Sequence, residues 1–490
     1  MAHLEEVQLP ARSIDGFRAV VGDEKMRQVQ ALAATTKRRL DGRTWWNVHS
    51  TSRGGGGAEM LQSLLAYARG LGVDTRWLTI GGTPPFFKVT KRLHHALHGA
   101  PGDGSPLGPA ERAVYEDVLD ANAREMLPRV RPGDVVLLHD PQSAGLAPAL
   151  LRHGATVMWR CHVGADITNA HTELGWGLIG PYLGDVSATI FSRRRYVPAV
   201  VDAERAVVIA PSIDPASPKN QPLDEATVRS ILVGTGLVGG PAGDAGPVFR
   251  RDDGALARVE READVVRSGS APSWGTPLVV QVSRWDPLKD PMGVMRGFAA
   301  LLQGADPVDA DLMLVGPDVS AVTDDPEGGR VLESVVTAWR DLPEAVRSRI
   351  HLVSLPMVDR EENAAIVNAI QRHAAVVVQK SLAEGFGLTV TEAMWKARPV
   401  VGSRAGGIQD QIDDGVHGLL LADPTDLKAY GEAVRRLLGD RLLAARLGEQ
   451  AQARVRAEFL GLRSLIQYAE LFQQVDAAGL VKEAAEVAGP

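Results

Sequence analysis

Two carboxylates frame a glycine-rich segment in the second half of the chain, which reads Glu384-Gly-Phe-Gly-Leu-Thr-Val-Thr-Glu392. The β-branched apolar run at 374–378 predicts a buried strand before it, and helix-forming residues follow at 391–396. The glycines therefore fall where a strand ends and a helix begins, which is where open α/β sheets bind ligands. The N–H groups of such a helix suit a phosphate, and Glu392 could reach a hydroxyl further along the same ligand. Taken alone, the segment is equally compatible with a surface turn followed by a solvated helix.

Two cations follow another predicted strand, and a glycine run follows a third. The apolar residues 279–282 lead into Arg284, and Lys289 comes five positions later, after a proline turn. A planar guanidinium and an ammonium at one strand end are suited to a diphosphate. In the first half, the four glycines 54–57 stand between a predicted strand and a helix, where backbone could approach a ligand closely. They match no standard phosphate-binding pattern, so a plain flexible loop explains them equally well.

The elements that must position these residues form two series in which strands alternate with helices. Such alternation predicts two mostly parallel, doubly wound sheets. The predicted strands are 45–49, 75–80, 134–139, 156–160, 188–191 and 206–210 in the first series, and 278–282, 311–315, 350–353, 375–379 and 399–402 in the second.

The expected domain organisation follows from these two series and the segments around them. The prolines of 211–222 resist helix and sheet and predict an interdomain crossing. The glycine-rich stretch 234–247 carries little structural signal, and the charged residues 250–267 suggest one helix. Together they are interpreted as an insertion, of a length that would allow it to be mobile. The predicted ranges are a helical leader at 1–43, a first Rossmann-like domain at 44–215, a crossing and insertion at 216–276, a second Rossmann-like domain at 277–455, and a C-terminal helical segment at 456–490 that returns to the first domain.

Composition excludes several functional classes. The chain has 490 residues, which predicts two to three domains, and its net charge of -7 gives no electrostatic footprint for nucleic acid or an anionic membrane. The first residues show neither the basic nor the apolar segment typical of a signal peptide, and no apolar run approaches membrane-spanning length, so a cytoplasmic location is expected. The single cysteine, Cys161, excludes an internal disulfide. Its neighbour His162 should point to the opposite face of a strand, which favours a buried structural thiol over a Cys/His nucleophile.

Together the carboxylate pair, the Arg and Lys pair and the glycine run resemble the retaining nucleotide-sugar glycosyltransferases of the GT-B type, family 4. Longer strings narrow the resemblance to the trehalose glycosyltransferring synthases, which make trehalose from a nucleoside-diphosphate glucose and free glucose. The matching strings are residues 86–99, 138–146, 159–162, 211–220 and 379–381. The resemblance implies an α/β chain of the GT-B fold, with two Rossmann-like doubly wound domains that face each other across a cleft.

The resemblance also implies a role for each candidate residue. Arg284, Lys289 and Glu384 form the expected catalytic set, in which the two cations bind the diphosphate and Glu384 holds the donor glucose. Glu392 is expected to bind the ribose hydroxyls. The remaining expected contacts are Gly56, Gly57, Phe386, Gly387, Leu388 and Thr389 for the donor, and Asp140 and His162 for the acceptor. The resemblance defines less clearly the roles of His49, His94 and His95. A lone Asp or His at the end of a strand usually caps an element or packs in the core.

The implied chemistry is transfer of glucose with retention of configuration, without a resident metal. No carboxylate is spare to act as a nucleophile, which favours front-face displacement over a double displacement. The resemblance implies no required cofactor, with Mg²⁺ at most a stimulant, and a homodimer as the assembly. The alternatives are a retaining trehalose phosphorylase, another glucosyltransferase with a small acceptor, and a non-catalytic sugar-nucleotide-binding protein. The base of the nucleotide is not readable from the sequence.

Overall fold

The computed structural model describes residues 3–52, 55–321 and 326–487. The chain forms two compact units: unit 1 comprises Met1–Ser212 and Gly461–Pro490, and unit 2 comprises Ile213–Leu460. The chain thus passes between the units at 212–213 and again at 460–461, whereas the sequence suggests boundaries near residues 215 and 455. Gly54 of the glycine run lies outside the described residues.

Unit 1 is built on a seven-stranded sheet in the order β1-β3-β2-β4-β5-β6-β7, parallel except for the antiparallel edge strand β1. Its apolar core includes residues of the central strands and of the helices on the sheet. The strands are β1 Glu5–Val7, β2 Trp45–His49, β3 Thr75–Thr79, β4 Val135–His139, β5 Thr156–Cys161, β6 Ala188–Phe191 and β7 Ala206–Val208. The helices are α1 Arg18–Arg39, α2 Gly55–Gly70, α3 Pro84–Leu97, α4 Pro109–Met126, α5 Asp140–Ser143, α6 Ala147–Arg152 and α7 Ala170–Ile179.

Unit 2 repeats this plan with the order β10-β13-β12-β11-β14-β15-β16, parallel except for β10, and with a separate hairpin of β8 and β9. The strands are β8 Val248–Arg250, β9 Leu256–Arg258, β10 Asp264–Val266, β11 Leu278–Val282, β12 Asp311–Pro317, β13 Ile350–Leu355, β14 Val376–Gln379, β15 Val400–Ser403 and β16 Leu419–Leu421. The helices are α8 Glu225–Gly234, α9 Pro291–Gln303, α10 Pro326–Arg340, α11 Glu344–Arg347, α12 Arg360–His373, α13 Leu388–Trp395, α14 Ile408–Gln411, α15 Leu427–Gly439 and α16 Arg441–Glu458.

The last helix, α17 Gly461–Val487, belongs to unit 1 and packs beside α1. Tyr468 and Phe472 lie against Trp45 of β2, with ring centroids 5.6 and 5.0 Å away. Arg160 of β5, fully buried, donates hydrogen bonds to the hydroxyl of Tyr468 and to the carbonyl of Ile209. The C-terminal helix is therefore part of the interior of unit 1.

The order of each sheet reverses at one place, and this positions the candidate residues. In unit 1 the chain runs from β2 outward to β3 and then returns to β4 on the other side; in unit 2 it runs from β11 to β12 and β13 and returns to β14. Ligands of doubly wound folds bind at such a reversal, beyond the carboxyl ends of the strands. The prediction of two doubly wound α/β sheets is confirmed.

The prediction of a helix over 250–267 is wrong, because the end of β8 and the whole of β9 and β10 lie in this stretch. The missed signal is Asp253-Gly254, a dipeptide typical of hairpin turns, where Gly254 has a φ of 90°. Charged side chains hold the segment in unit 2: Arg251 binds Asp359 and Glu361 at the start of α12. These ion pairs tie the hairpin to α12, and the mobility of the insertion stays a prediction.

Candidate active site

Lys289 and Glu384 meet at the reversal point of unit 2. The Lys289 ammonium donates a hydrogen bond of 2.6 Å to Glu384 Oε2, which also accepts one of 3.1 Å from the Ser381 hydroxyl. The loop after β14 is tied to the turn after β11 because the Leu382 N–H donates to the Leu288 carbonyl over 2.8 Å. Residues from two separate strand ends thus form one charged pair.

A role in binding a diphosphate predicts that both candidate cations are solvent-exposed, but their exposure differs. The Arg284 side chain is 47% exposed and lies 3.5 Å from Asp286 Oδ2. The side chains of Lys289 and Glu384 are only 17% and 9% exposed. The burial of Lys289 is not predictable from local sequence, because its partner is 95 residues away in the chain.

A buried lysine that sequence analysis did not assign supports the turn that carries Lys289. Asp290 has a φ of 52° and caps α9 by accepting the Gly293 N–H over 2.9 Å. Lys380, buried, donates to the other carboxylate oxygen of Asp290 and to the Pro424 carbonyl. A left-handed backbone at a residue other than glycine costs free energy, and this ion pair helps to hold it.

Close backbone packing shapes the segment between Glu384 and α13. Gly387 has a φ of 86°, and a Cβ there would lie 3.2 Å from both Glu384 Cγ and Ile408 Cγ1. A Cβ on Gly407 would lie 2.6 Å from Phe386 Cα, so this loop passes directly against the segment. Gly387, at the N-cap of α13, has no side chain that could cap the helix, and the first N–H groups of a helix suit an anion.

Glu392 lies in the second turn of α13 and is buried. Its Oε1 is 3.7 Å from the ammonium of Lys219, a residue that sequence analysis did not assign. One turn later, Lys396 is buried and donates to Asn220 Oδ1, Gln371 Oε1 and the Glu392 carbonyl over 2.8–3.1 Å. Burial lowers the pKa of Lys396 well below its ordinary value, although the three acceptors favour the ammonium.

Asp140 is the centre of a polar cluster at the reversal point of unit 1. It follows β4 directly, with a φ of 62°. Its Oδ1 accepts the backbone N–H of His162 over 2.7 Å, and its Oδ2 lies 3.4 Å from His49 Nε2. Burial alone would raise the pKa of Asp140, but the two histidines and the backbone hydrogen bond outweigh it and lower the pKa.

His139, at the end of β4, joins this cluster although sequence analysis did not single it out. Its Nδ1 lies 3.4 Å from His162 Nε2 and its Nε2 lies 3.1 Å from Asn47 Oδ1. Burial lowers the pKa of His139 well below its ordinary value and lowers the pKa of His162 to about 3. At neutral pH this places an anionic carboxylate near the neutral imidazoles of His139 and His162, a set that can both donate hydrogen bonds to sugar hydroxyls and accept them.

Gly57 lies beside the Asp140 cluster. A Cβ on Gly57 would lie 3.5 Å from His49 Nε2 and 3.9 Å from His162 Cδ2. Gly56 is exposed one position earlier in α2. The structure thus brings Gly57, Asp140 and His162 together within unit 1, whereas the sequence places them in three separate segments.

His94 and Cys161 each contact a residue outside the clusters described above. Burial lowers the pKa of His94 well below its ordinary value, and its ring lies 4.7 Å from that of His98. Cys161 is buried, its thiol donates to the Val163 carbonyl over 3.2 Å, and burial raises its pKa. The prediction of a buried structural thiol is confirmed.

Within the described ranges 3–52, 55–321 and 326–487, no group of three His, Cys, Asp or Glu side chains could hold a metal ion. None of the helices in that part of the chain has the length and apolar character needed to cross a membrane.

Comparison with known proteins adds a family assignment to this geometry. The family model "Trehalose synthase, N-terminal domain" matches residues 47–198, and "Glycosyl transferases group 1" matches residues 274–454. A trehalose synthase of Rubrobacter xylanophilus is 34% identical, over 96% of this chain and 99% of the relative. A trehalose synthase of Pyrococcus horikoshii is 32% identical, over 97% of this chain and 99% of the relative.

More distant matches concern the fold and one of the alternatives. A trehalose phosphorylase of Pleurotus sajor-caju is 25% identical over 76% of this chain and 50% of the relative. The solved structure of a UDP-forming α,α-trehalose-phosphate synthase from Burkholderia xenovorans matches with a TM-score of 0.66 and 15% identity, covering 88% of this chain and all of the other. At that identity the likeness concerns the fold, which is GT-B.

Proposed function

The chain belongs to the trehalose synthase family of glycosyltransferases, and from this premise we propose that it transfers glucose from a nucleoside-diphosphate glucose to free glucose, forming α,α-trehalose. The observation that carries the proposal is that the similarity to trehalose synthases, 32–34% identity, covers 96–97% of the chain. The two matching family models span residues 47–198 and 274–454, which contain Asp140 and Glu384. In this proposal unit 2 binds the donor and unit 1 binds the acceptor.

The donor half of the proposal rests on the charges at the reversal point of unit 2. Arg284 and Lys289 bind the diphosphate, and their positive charge stabilises the leaving group as its negative charge grows. Glu384, which Lys289 and Ser381 orient, accepts hydrogen bonds from hydroxyls of the donor glucose. The N-terminus of α13 binds a phosphate oxygen, and Glu392 accepts the ribose hydroxyls.

The acceptor half rests on the Asp140 cluster. The anionic carboxylate accepts a hydrogen bond from a hydroxyl of glucose, and the rings of His49 and His162 offer further hydrogen-bonding positions. The cluster carries a negative charge, which suits free glucose better than glucose 6-phosphate, because a phosphate would be repelled. Gly57 leaves room beside these side chains.

Retention of configuration follows in the proposal from a front-face displacement. The bond from the anomeric carbon to the phosphate oxygen breaks as the acceptor hydroxyl attacks on the same face. The departing phosphate oxygen takes the proton of the acceptor hydroxyl. The two cations must therefore stabilise the leaving group while this oxygen stays basic enough to accept the proton. No protein nucleophile is required, and Glu384 is already engaged by Lys289 and Ser381.

A panel of substrates tests this proposal. Uridine, adenosine and guanosine diphosphate glucose are each supplied with glucose or glucose 6-phosphate, and release of nucleoside diphosphate and formation of disaccharide are measured. The proposal expects α,α-trehalose from at least one donor with free glucose. Equal or faster turnover with glucose 6-phosphate would refute the acceptor assignment.

The phosphorylase alternative rests on the more distant similarity to trehalose phosphorylases. It predicts that trehalose and inorganic phosphate give glucose 1-phosphate without any nucleotide. Glu392 distinguishes the two functions, since a ribose needs this acceptor and inorganic phosphate does not. Formation of glucose 1-phosphate in the same panel would favour the alternative.

A further inference from the structure

The proline-rich residues 213–222, here called the strap, are folded by their own hydrogen bonds. The Asn220 side-chain amide donates to the Asp214 carbonyl over 3.1 Å and to the Ser217 hydroxyl over 3.3 Å. The Gln221 N–H donates to the Ser217 carbonyl over 2.8 Å. These bonds close a compact turn that presents Lys219.

Side chains of α12 and α13 fix the strap within unit 2. Asn368 donates to the carbonyls of Pro218 and Gln221 over 3.0 and 2.9 Å. The Trp395 indole N–H donates to the Asn220 carbonyl over 3.0 Å, and the buried Lys396 donates to Asn220 Oδ1 over 3.0 Å. The helix that carries Glu392 therefore also holds the residue next to Lys219.

The β8–β9 hairpin braces the strap from its other side. The Gln221 side chain exchanges two hydrogen bonds with the Arg250 backbone, of 2.8 and 3.0 Å. The adjacent Arg251 is fixed by its ion pairs with Asp359 and Glu361. The hairpin, to which the sequence assigns no role, thus limits the movement of the strap relative to α12 and α13.

The consequence of these contacts is the position of one ammonium group. The Lys219 side chain, 20% exposed, lies 3.7 Å from Oε1 of Glu392, whose own side chain is 5% exposed. A nearly buried carboxylate is costly unless a cation lies beside it. A cation beside one oxygen also restricts the rotation of the carboxylate, and this orientation decides how well the carboxylate accepts hydrogen bonds from a pair of vicinal hydroxyls.

We propose that Lys219 is a positioning residue of the donor site, which holds the Glu392 carboxylate in the orientation that accepts the ribose hydroxyls of the nucleotide. The inference rests on the proposed function, because that function assigns Glu392 to the ribose. It makes Lys219 act through Glu392 and therefore on the ribose, not on the diphosphate.

Calorimetric titration of the full chain tests this, with Lys219→Met, Lys219→Arg, Glu392→Gln and the surface control Lys428→Met. The probes are uridine, adenosine and guanosine diphosphates, and the 2′,3′-dideoxy form of whichever binds the unmodified chain most tightly. Lys219→Met should weaken binding of the ribonucleotide by roughly tenfold, the size of one lost hydrogen bond between a ribose hydroxyl and the charged Glu392 carboxylate. Binding of the dideoxynucleotide should stay within about twofold, and Lys219→Arg should restore most of the loss. In steady-state transfer, KM for the donor should rise by a similar factor while kcat changes by less than about threefold.

Each contrary result overturns a definite part of the inference. Equal losses for the ribonucleotide and the dideoxynucleotide would mean that Lys219 contacts the diphosphate directly. A loss of ribose preference in Glu392→Gln but not in Lys219→Met would remove Lys219 from the site while leaving the proposed function intact. An unchanged preference in both variants would overturn the ribose assignment of Glu392 and this inference with it. Should Lys219→Met fail to fold, Lys219→Gln provides the same comparison.

Discussion

Replacing Lys289 with Met tests the central charged pair of the donor site. The change keeps the apolar stem of the side chain and removes the ammonium that donates to Glu384 over 2.6 Å. Both side chains are mostly buried, so the variant leaves a carboxylate with little access to water. We therefore expect a loss of stability as well as a loss of turnover.

The magnitude follows from the geometry of the pair. At 2.6 Å and an effective dielectric constant of about 20, the attraction is roughly 6 kcal/mol before desolvation is subtracted. Removing one partner of a buried pair costs roughly 3–5 kcal/mol. Ser381 still donates to Glu384 in the variant, and the pair has some solvent access, so we expect about 2–3 kcal/mol. Turnover should fall by roughly 10²–10³-fold, as for the loss of one preorganised charge-stabilising group.

Calorimetric unfolding of the full chain, with initial rates of trehalose formation, measures both effects. The matched control is Lys428→Met, whose side chain is 87% exposed and should change stability by less than about 0.5 kcal/mol. Glu384→Gln and the double variant complete a mutant cycle. Because the charge and its partner are removed together, the double variant should be less destabilised than the sum of the single variants by at least about 1 kcal/mol.

Two results would refute this reasoning. If Lys289→Met is as stable as Lys428→Met, the pair does not hold Glu384 in solution. If Lys289→Met is unstable but its turnover, measured well below its unfolding temperature, is near normal, the ammonium has no part in stabilising the leaving group.

Other parts of the site give further expectations. Arg284→Met should lower turnover by roughly 10²–10³-fold but change stability by less than about 0.5 kcal/mol, because this side chain is exposed; rates and melting temperatures check this. Asp140→Asn should raise KM for glucose by roughly tenfold or more without changing calorimetric binding of nucleoside diphosphate. Gly57→Val should likewise impair transfer more than nucleotide binding, because the added carbons would crowd His49 and His162. The folded-state pKa of His162 is lowered from 6.5 to about 3, so the unfolded chain binds more protons between these values. The stability contributed by neutral His162 should be complete above about pH 6.5 and fall as the pH drops towards 3, and melting temperatures of His162→Gln should show a weaker fall.

Local signals were enough to predict most of the two sheets. Buried parallel strands are short apolar runs, and the predicted ranges 45–49, 188–191 and 278–282 match β2, β6 and β11. The short edge strands β1 and β10 were not predicted, because three residues carry almost no periodic signal and their pairing partners are distant in the chain. The charge density of 250–267 suggested a solvated helix, whereas those charges pair with residues near position 360.

The candidate site was less predictable, since its geometry depends on contacts between distant segments. Residue types and spacing were enough to select Lys289 and Glu384, but not to show that they bind each other. His139 and Lys219 were missed because a histidine within an apolar strand and a lysine between prolines have no local sign of a partner. Such partners are set by the order of the strands and by tertiary packing, which a local pattern does not contain.

The path of the chain has a consequence for synthesis on the ribosome. Unit 2 is one continuous stretch, whereas unit 1 lacks its last helix until residues after 460 have been made. At about 5–20 residues per second, translation of unit 2 takes roughly 10–50 s. Throughout that interval the nascent unit 1 exposes Trp45 and carries Arg160 without the hydroxyl of Tyr468. The half that emerges first is thus the half completed last, and a truncated chain that ends before α17 should be a substrate for chaperones and proteases even though most of its residues are present.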